Sequence, residues 1–215
     1  MKNKLERYDY NLKSEYVIQE GKEFYKYSKG NWNRKFENKN PIVLELACGN
    51  GEYTVERSFK DPLRNYIGID IKGARIWKGA NKLGNNKSKN AFFLRIQIEN
   101  ILNFFENNEV DEILISFPDP RPKKRDIKKR LTNIKFLDMY YKILKKNGLL
   151  MLKTDDFDLF NYSLDQIKSS GFVIKNYTND LYNSKKYDTF KEIKTKYELK
   201  FLSEGKKIKF LKCLR

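Results

Sequence analysis

Two successive strand, turn and helix patterns limit the folds that this chain can adopt. An apolar run from Ile42 to Leu46 is followed by glycines and by a helical pattern from Glu52 to Phe59. A second apolar run, Tyr66 to Ile69, ends at Asp70 and leads into another helical pattern. Two such units in succession predict an α/β fold with a parallel sheet, because each helix returns the chain to the same edge.

Further apolar runs continue this pattern to the C-terminus. We predict more strands at residues 91–96, 112–117, 149–153, 172–177, 197–202 and 208–214, and helices near 134–144 and 157–167. Residues 1–40 mix aromatic and basic side chains without a clean period. We therefore predict an α/β domain over residues 41–215, preceded by an extension of residues 1–40. That extension either simply docks on the domain or also touches RNA.

The charge of the chain indicates an anionic partner. Its 215 residues contain 45 Lys and Arg against 28 Asp and Glu, a net charge of +17. Such an excess favours nucleic acid or an anionic membrane, although biased composition is an alternative. Clustering argues against bias alone, because seven basic residues fall in the ten from Arg121 to Arg130. Without an apolar span or a signal-like N-terminus, the sequence predicts a cytoplasmic protein that does not bind membranes.

Residue types that the chain lacks restrict its chemistry. It contains no His, which removes the usual general base and the commonest metal ligand. Cys48 and Cys213 are too far apart in sequence to indicate a zinc site or a disulfide framework. We therefore expect no metal, and a reaction that depends on carboxylates or on a cofactor.

Acidic residues at strand ends mark one edge of the predicted sheet. Glu45 lies inside an apolar strand before a glycine turn, and Asp70, Asp119 and Asp155 follow later strands. Ligands of open α/β sheets bind at this edge. The turn after Glu45 completes neither GxGxxG nor a phosphate-binding loop with Lys, which disfavours dinucleotides and nucleotide phosphates. S-adenosylmethionine has no pyrophosphate and fits better, with Asp70 placed for its ribose.

Three segments of the chain form recognisable motifs: FPDPRPKKRDIKKRL at residues 117–131, KTDDFDLFNYSL at 153–164 and TKYELKFLSEGKKI at 195–208. They resemble motifs of the bacterial tRNA (guanine-N(7)-)-methyltransferases, which modify a guanosine in the tRNA variable loop, at position 46. The resemblance extends from about Pro41 to Lys212. It implies a Rossmann-like, seven-stranded, S-adenosylmethionine-dependent methyltransferase fold, with a mostly parallel sheet and an antiparallel C-terminal strand.

The resemblance also implies roles for individual residues. Asp119 would be the catalytic residue. The residues that bind the donor would be Glu45, Gly49, Gly51, Asp70, Gln97 and Asp119. The guanosine would be bound by Lys123, Asp155, Thr195, Lys196, Tyr197 and Glu198. The RNA-binding surface would contain Lys124, Arg125, Lys128, Lys129 and Arg130. The chain departs from the family at Gln97, Arg121 and Asp126, where an acid, Trp and His are usual.

The reaction that the resemblance implies needs no general base. Nitrogen-7 of guanine has a lone pair and no proton to lose, so it can attack the donor's methyl group directly, which is compatible with the absence of His. Two alternatives stay open: a catalytically weak or inactive RNA-binding protein with the same fold, and a methyltransferase for a small anionic substrate. The partner is expected to be tRNA, and the chain a monomer or a homodimer.

Overall fold

A mostly parallel sheet forms the centre of the structure, which is a computed structural model that describes residues 3–215 and, at Thr189, the backbone alone. Within residues 3–215, eight strands form this sheet. In chain order they are β1 (Val17–Ile18), β2 (Ile42–Leu46), β3 (Asn65–Ile69), β4 (Ala91–Leu94), β5 (Val110–Ser116), β6 (Leu144–Thr154), β7 (Val173–Thr178) and β8 (Lys209–Leu214). The spatial order is β1-β4-β3-β2-β5-β6-β8-β7, and β8 runs antiparallel to β6 and β7. The predicted mostly parallel sheet is confirmed, with eight strands instead of seven because Val17–Ile18 joins beside β4.

Helices cover both faces of the sheet. In the described part of the chain the α-helices are α1 (Lys4–Lys13), α2 (Glu23–Tyr27), α3 (Trp32–Phe36), α4 (Glu52–Lys60), α5 (Gly73–Asn85), α6 (Ile134–Ile143), α7 (Phe157–Lys168), α8 (Asp188–Lys191) and α9 (Lys196–Ser203). Short 3-10 helices lie at Ile98–Asn103, Lys124–Lys129 and Lys185–Tyr187. Helices α4 and α5 connect strands in one direction along the sheet and α6 in the other, so right-handed crossovers place them on opposite faces. Among the helices of residues 3–215, none combines enough length with enough apolar residues to span a membrane.

The predicted strand at residues 197–202 is wrong, because this segment is helix α9. Thr195 caps the helix, and its Oγ1 accepts a hydrogen bond from the backbone N of Glu198 at 3.3 Å. Tyr197 and Leu199, which alternate with polar residues as in a strand, are more than half exposed. Glu198 is fully buried instead. The alternation in the sequence therefore does not correspond to a buried apolar face.

Residues 3–40 pack against the core of the sheet. Strand β1 pairs with β4, with Val17 opposite Phe93. Trp32 is fully buried, its Nε1 donates a hydrogen bond to the backbone O of Phe104 at 2.9 Å, and its ring stacks on Phe105. Trp32, one of the aromatic residues of the extension that could have stacked on RNA, is thus part of the core.

The ring of Phe93 holds the turn after β2 close to helix α5. Phe93 is fully buried on β4, between Gly51 and Gly79. A Cβ at Gly51 would lie 2.3 Å from the ring, and one at Gly79 would lie 2.4 Å from the ring and 2.9 Å from the backbone O of Asn50. Gly51 also has a φ of 70°, which glycine adopts without a Cβ clash. The two glycines therefore allow the turn and the helix to approach each other.

We expect Gly79→Ala to destabilise the protein by about 1–3 kcal/mol, because the added methyl group overpacks the Phe93 ring and the Asn50 carbonyl. The loss should appear although alanine favours helix formation by about 1 kcal/mol relative to glycine. Gly84→Ala in the same helix is the matched control, since its nearest neighbour is the end of the Tyr10 side chain at 3.2 Å. Urea unfolding measures both variants. A Gly79→Ala protein as stable as wild type would contradict this packing.

Candidate active site

A cavity of about 720 Å³ lies at the carboxyl ends of strands β2 to β6. Its volume is within the range of roughly 300–1,000 Å³ that is typical of small-molecule sites. The residues predicted at the donor or the guanosine that line this cavity are Glu45, Gly49, Asp70, Gln97, Asp119, Asp155, Thr195 and Tyr197. The predicted residues that lie outside its lining are Gly51, Lys123, Lys196 and Glu198. The parallel strands thus bring most of the predicted site together.

Backbone groups fix the carboxylate of Asp70 at the end of β3. Its Oδ2 accepts a hydrogen bond from the backbone N of Gly49 at 3.0 Å, and its Oδ1 accepts one from the backbone N of Lys72 at 2.8 Å. A carboxylate oxygen can accept more than one hydrogen bond, so hydroxyl groups in the cavity can still bind there. A Cβ built at Gly49 would meet nothing within 4 Å, so the glycine turn borders open space.

Glu45 is buried on β2 directly before the glycine turn. Its Oε2 accepts hydrogen bonds from Thr54, from the backbone N at 3.0 Å and from Oγ1 at 2.5 Å. Burial raises the pKa of Glu45 from 4.5 to about 7, although the Thr54 hydrogen bonds oppose the shift. Burial, together with the carboxylates of Glu45 and Asp70, raises the pKa of the Cys48 thiol well above its usual range. This wall of the cavity therefore contains a carboxyl that titrates near neutrality and a protonated thiol.

Gln97 lies on the wall that follows strand β4. It precedes the 3-10 helix at Ile98–Asn103, and its side chain makes no capping hydrogen bond to that helix. Ile96 and Ile98 also line the cavity and are largely buried. This part of the cavity therefore offers a polar amide beside an apolar surface.

Asp119 lies on the proline bend after β5, with its side chain 62% exposed. Its Oδ1 accepts a hydrogen bond from the backbone N of Arg121 at 3.1 Å, and the Arg121 Nε lies 3.3 Å from its Oδ2. Arg130 supports the bend, because its guanidinium donates to the backbone O of Pro120 at 2.9 Å and stacks over the Tyr162 ring. Arg130 is only 7% exposed, so its predicted place on the RNA-binding surface is corrected to a buried support.

Residues 123–129, which we call the basic segment, lie on the surface. The exposed cations of this segment are Lys123, Lys124, Arg125, Lys128 and Lys129. Asp126 accepts a hydrogen bond from Lys129 Nζ at 2.8 Å and so neutralises part of the charge. Lys129 also lines the cavity. The basic segment therefore reaches the cavity at Lys129, and its other cations lie on the adjoining surface.

A row of aromatic rings borders the cavity near helix α9. The Tyr197 ring is stacked with Phe201 at 6.4 Å between centroids, and Phe201 lies 5.6 Å from Phe117. Asp155 lies beside this row, with its Oδ2 2.9 Å from Lys206 Nζ. We predicted no role for Phe201 or Lys206 from the sequence. Their position inside the third motif, residues 195–208, is the one feature of the sequence that indicates a functional role.

A buried ion pair joins helix α9 to strand β6. Lys153 Nζ lies 2.7 Å and 3.0 Å from the two carboxylate oxygens of Glu198, and the Tyr182 hydroxyl donates to Glu198 at 2.8 Å. Desolvation lowers the pKa of Lys153, and Glu198 opposes that effect. Glu198, predicted at the guanosine, thus directs its carboxylate to Lys153 and Tyr182. In the sequence, Lys153 directly follows an apolar run, and a lysine at the end of a buried strand indicates that a buried acidic partner is present.

In sequence, the chain is similar to known methyltransferases. A family model described as "Putative methyltransferase" matches residues 39–211. The tRNA (guanine-N(7)-)-methyltransferase of Cytophaga hutchinsonii is 38% identical over 213 residues, covering 98% of this chain and 96% of that protein. The protein of the same name from Christiangramia forsetii is 44% identical over 217 residues, covering 98% and 97%.

In structure, the chain is also similar to methyltransferases. An antibiotic-related methyltransferase superimposes with a TM-score of 0.63 at 19% identity, covering 86% of this chain and 92% of that chain. The 16S rRNA methyltransferase KamB gives a TM-score of 0.65 at 11% identity, with the same coverage. These similarities show the fold alone, which is the α/β methyltransferase fold with an antiparallel strand near the C-terminus.

We expect Lys153→Met to destabilise the protein by about 3–5 kcal/mol, because Glu198 would be left buried without its cation. The double variant Lys153→Met/Glu198→Leu should lose much less than the sum of the two single variants. The matched control is Lys168→Met, which removes an exposed ion pair with Asp165 and should cost less than about 1 kcal/mol. Urea unfolding completes the double-mutant cycle. Additive effects, or a stable Lys153→Met protein, would exclude a strong pair.

We expect the stability of wild type relative to Glu45→Gln to fall as pH rises. The folded pKa of Glu45 is raised to about 7, so its contribution is full below pH 4.5 and is lost as pH rises through 7. The difference between the two proteins should change by about 3 kcal/mol between pH 5 and pH 8. Thr54→Val, which removes one hydrogen bond to the carboxylate, should move this transition to higher pH. A difference that does not depend on pH would show that Glu45 ionises normally.

Proposed function

The chain belongs to the bacterial tRNA (guanine-N(7)-)-methyltransferase family, and we therefore propose that it transfers a methyl group from S-adenosylmethionine to nitrogen-7 of a guanosine in the tRNA variable loop, at position 46. The observation that carries this proposal is the lining of the cavity. Asp70 and the glycine turn lie on one side of it, and Asp155 and Tyr197 on another. The same cavity thus contains residues suited to S-adenosylmethionine and residues suited to guanine.

The residues after strands β2 to β4 fit S-adenosylmethionine. Asp70 would accept hydrogen bonds from the ribose diol, since its carboxylate is held in place and retains acceptor capacity. The Gln97 amide would bond the adenine amino group, and Ile96 and Ile98 would contact the adenine ring. The space beside Gly49 would take the methionine part. When bound, the donor supplies an electrophilic methyl group on a sulfonium ion.

The residues after strands β5 and β6 fit guanine. Asp119 and Asp155 would accept hydrogen bonds from its ring NH and its amino group, and would offset the positive charge that guanine gains on methylation. The half-exposed ring of Tyr197 provides a stacking surface for a base extruded from folded RNA. These contacts would hold nitrogen-7 in position without removing a proton from it.

The chemistry of the wall supports direct attack by the base. Nitrogen-7 carries a lone pair and no proton, and the chain contains no His to act as a general base. The raised pKa keeps the Cys48 thiol protonated, so Cys48 is not an activated nucleophile. The contribution of the protein is then to hold the two reactants in an attack geometry.

The basic segment is placed to hold the RNA. Its lysines are exposed and would contact phosphates, which contribute affinity and little sequence information. Lys129 belongs both to this segment and to the cavity lining. Phosphate contacts would therefore begin next to the modified base.

The contact between Arg121 and Asp119 favours one alternative, an RNA-binding protein with weak or absent catalysis. Arg121 stands where the family usually has Trp, and its guanidinium engages the carboxylate proposed for catalysis. Calorimetry with S-adenosylmethionine separates the two functions. A protein that only binds RNA has no reason to hold the donor, whereas the enzyme should bind it.

Incubation with unmodified tRNA and methyl-labelled donor tests the proposed reaction. We expect label in the RNA and, after borohydride reduction, aniline cleavage at position 46, because the reduced 7-methylguanine is lost and aniline cleaves the chain at the abasic site. A transcript with adenosine at that position is the matched control and should remain unlabelled. Methylation of another atom or another nucleotide would contradict the proposal and leave the fold assignment intact.

We expect Asp119→Ala to lower kcat by about 10²–10³-fold, because a carboxylate that stabilises the charged product would be lost. Donor affinity, measured by calorimetry, should change much less. Asp126→Ala removes an acid from the basic segment nearby and should retain kcat, which makes it the matched control. Wild-type turnover by Asp119→Ala on tRNA would refute this role.

A further inference from the structure

A second basic surface lies on the other side of the glycine turn from the cavity. It is a groove of about 390 Å³ between helix α5 and the first turn of helix α9, and residues of helix α4 also line it. We call it the α5 groove. Lys78 and Lys82 of α5 form one wall, and Lys194 and Lys196 form the other. Its acidic residues are Glu52 and Glu56.

The basic face of helix α5 connects this groove to the active-site cavity. Arg75, Lys78 and Lys82 are spaced by three and four residues, so they lie along one side of the helix. All three are exposed, and the helix contains no Asp or Glu. Arg75 lines the cavity, whereas Lys78 and Lys82 line the groove. A row of three cations therefore connects the active-site cavity to the α5 groove.

Most of the positive charge in the groove is not neutralised by the protein. Glu52 Oε2 accepts a hydrogen bond from the backbone N of Lys196 at 2.7 Å, and Glu56 lies 4.0 Å from Lys82, at the limit of an ion pair. Within residues 3–215, Lys78 and Lys194 form no ion pair within 4.0 Å; Lys194 lies over the Tyr182 ring. Four lysines against two partly engaged carboxylates leave the groove suited to an anion.

The α5 wall of the groove and the basic segment follow strands that flank β2. Helix α5 follows β3 and the basic segment follows β5, and β2 lies between these two strands. At about 4.8 Å between neighbouring strands, β3 and β5 are about 10 Å apart. Cations that contact the same RNA on both sides would fix it across the mouth of the cavity.

We propose that the α5 groove is a second contact for RNA phosphates, opposite the basic segment, so that the RNA backbone crosses the mouth of the cavity. This inference rests on the proposed function, since the RNA it concerns is the methylated substrate. Lysines act as point charges toward phosphate and carry little sequence information. Among the residues that the structure describes, none that lines the groove is aromatic, so a base has no ring to stack on and backbone contact is favoured over recognition of bases.

The salt dependence of tRNA binding tests the inference. Each lysine that contacts a phosphate should contribute about 1 to the slope of log K against log salt. We expect the slope to fall by about 2 in Lys78→Ala/Lys82→Ala and by about 1 in Lys194→Ala. The KM for tRNA should rise in both variants, while kcat and the Kd of S-adenosylmethionine remain at wild-type values.

Lys142→Ala/Lys146→Ala is the matched control for charge. Both residues are exposed near the start of β6, at the opposite edge of the sheet, so this variant should keep the wild-type slope. Equal slopes for the groove variants and wild type would overturn the inference, and so would an equal fall in the control. If wild type binds tRNA without methylating nitrogen-7, the proposed function fails, while the slopes still decide the role of the groove.

Discussion

Five neighbouring parallel strands end at the same edge of the sheet, and this constraint places the groups of the candidate site. The residues that follow strands β2 to β6 supply the glycine turn, Asp70, Gln97, Asp119 and Asp155 to one cavity. Backbone N–H groups hold two of these carboxylates: those of Gly49 and Lys72 donate to Asp70, and that of Arg121 donates to Asp119. The sheet thus brings together residues far apart in sequence without needing a long ordered loop.

The parts that the sequence predicted well depend on local patterns. Strand, turn and helix periods identified the parallel sheet, and the end of each strand then located its acid. Segments decided by distant contacts were not predictable. Val17–Ile18 becomes a strand through pairing with β4, and in the helix at residues 197–202 Glu198 turns inward to the distant Lys153 of β6. Arg130 resembled its basic neighbours, but the carbonyl of Pro120 holds it inside.

Buried charge near the cavity has a structural consequence for the site. Lys153 and Glu198 connect the last parallel strand to helix α9, which presents Tyr197 at the cavity. Removing either partner leaves an unpaired charge in the interior. The pair therefore holds helix α9 in one position against strand β6. In the proposed function, Glu198 would therefore act on guanosine binding through the position of Tyr197, without contacting the base. Glu45 differs, because its hydrogen-bond partner is the neutral Thr54 and burial raises its pKa to about 7.

We propose that donor and guanosine share one cavity and that the methyl group passes directly between them. The most direct test uses S-adenosylmethionine with a chiral methyl group that carries hydrogen, deuterium and tritium. Direct attack by nitrogen-7 predicts inversion of configuration in the 7-methylguanosine of the product tRNA. Net retention would require two transfers through a group of the protein such as Cys48, and would contradict the account.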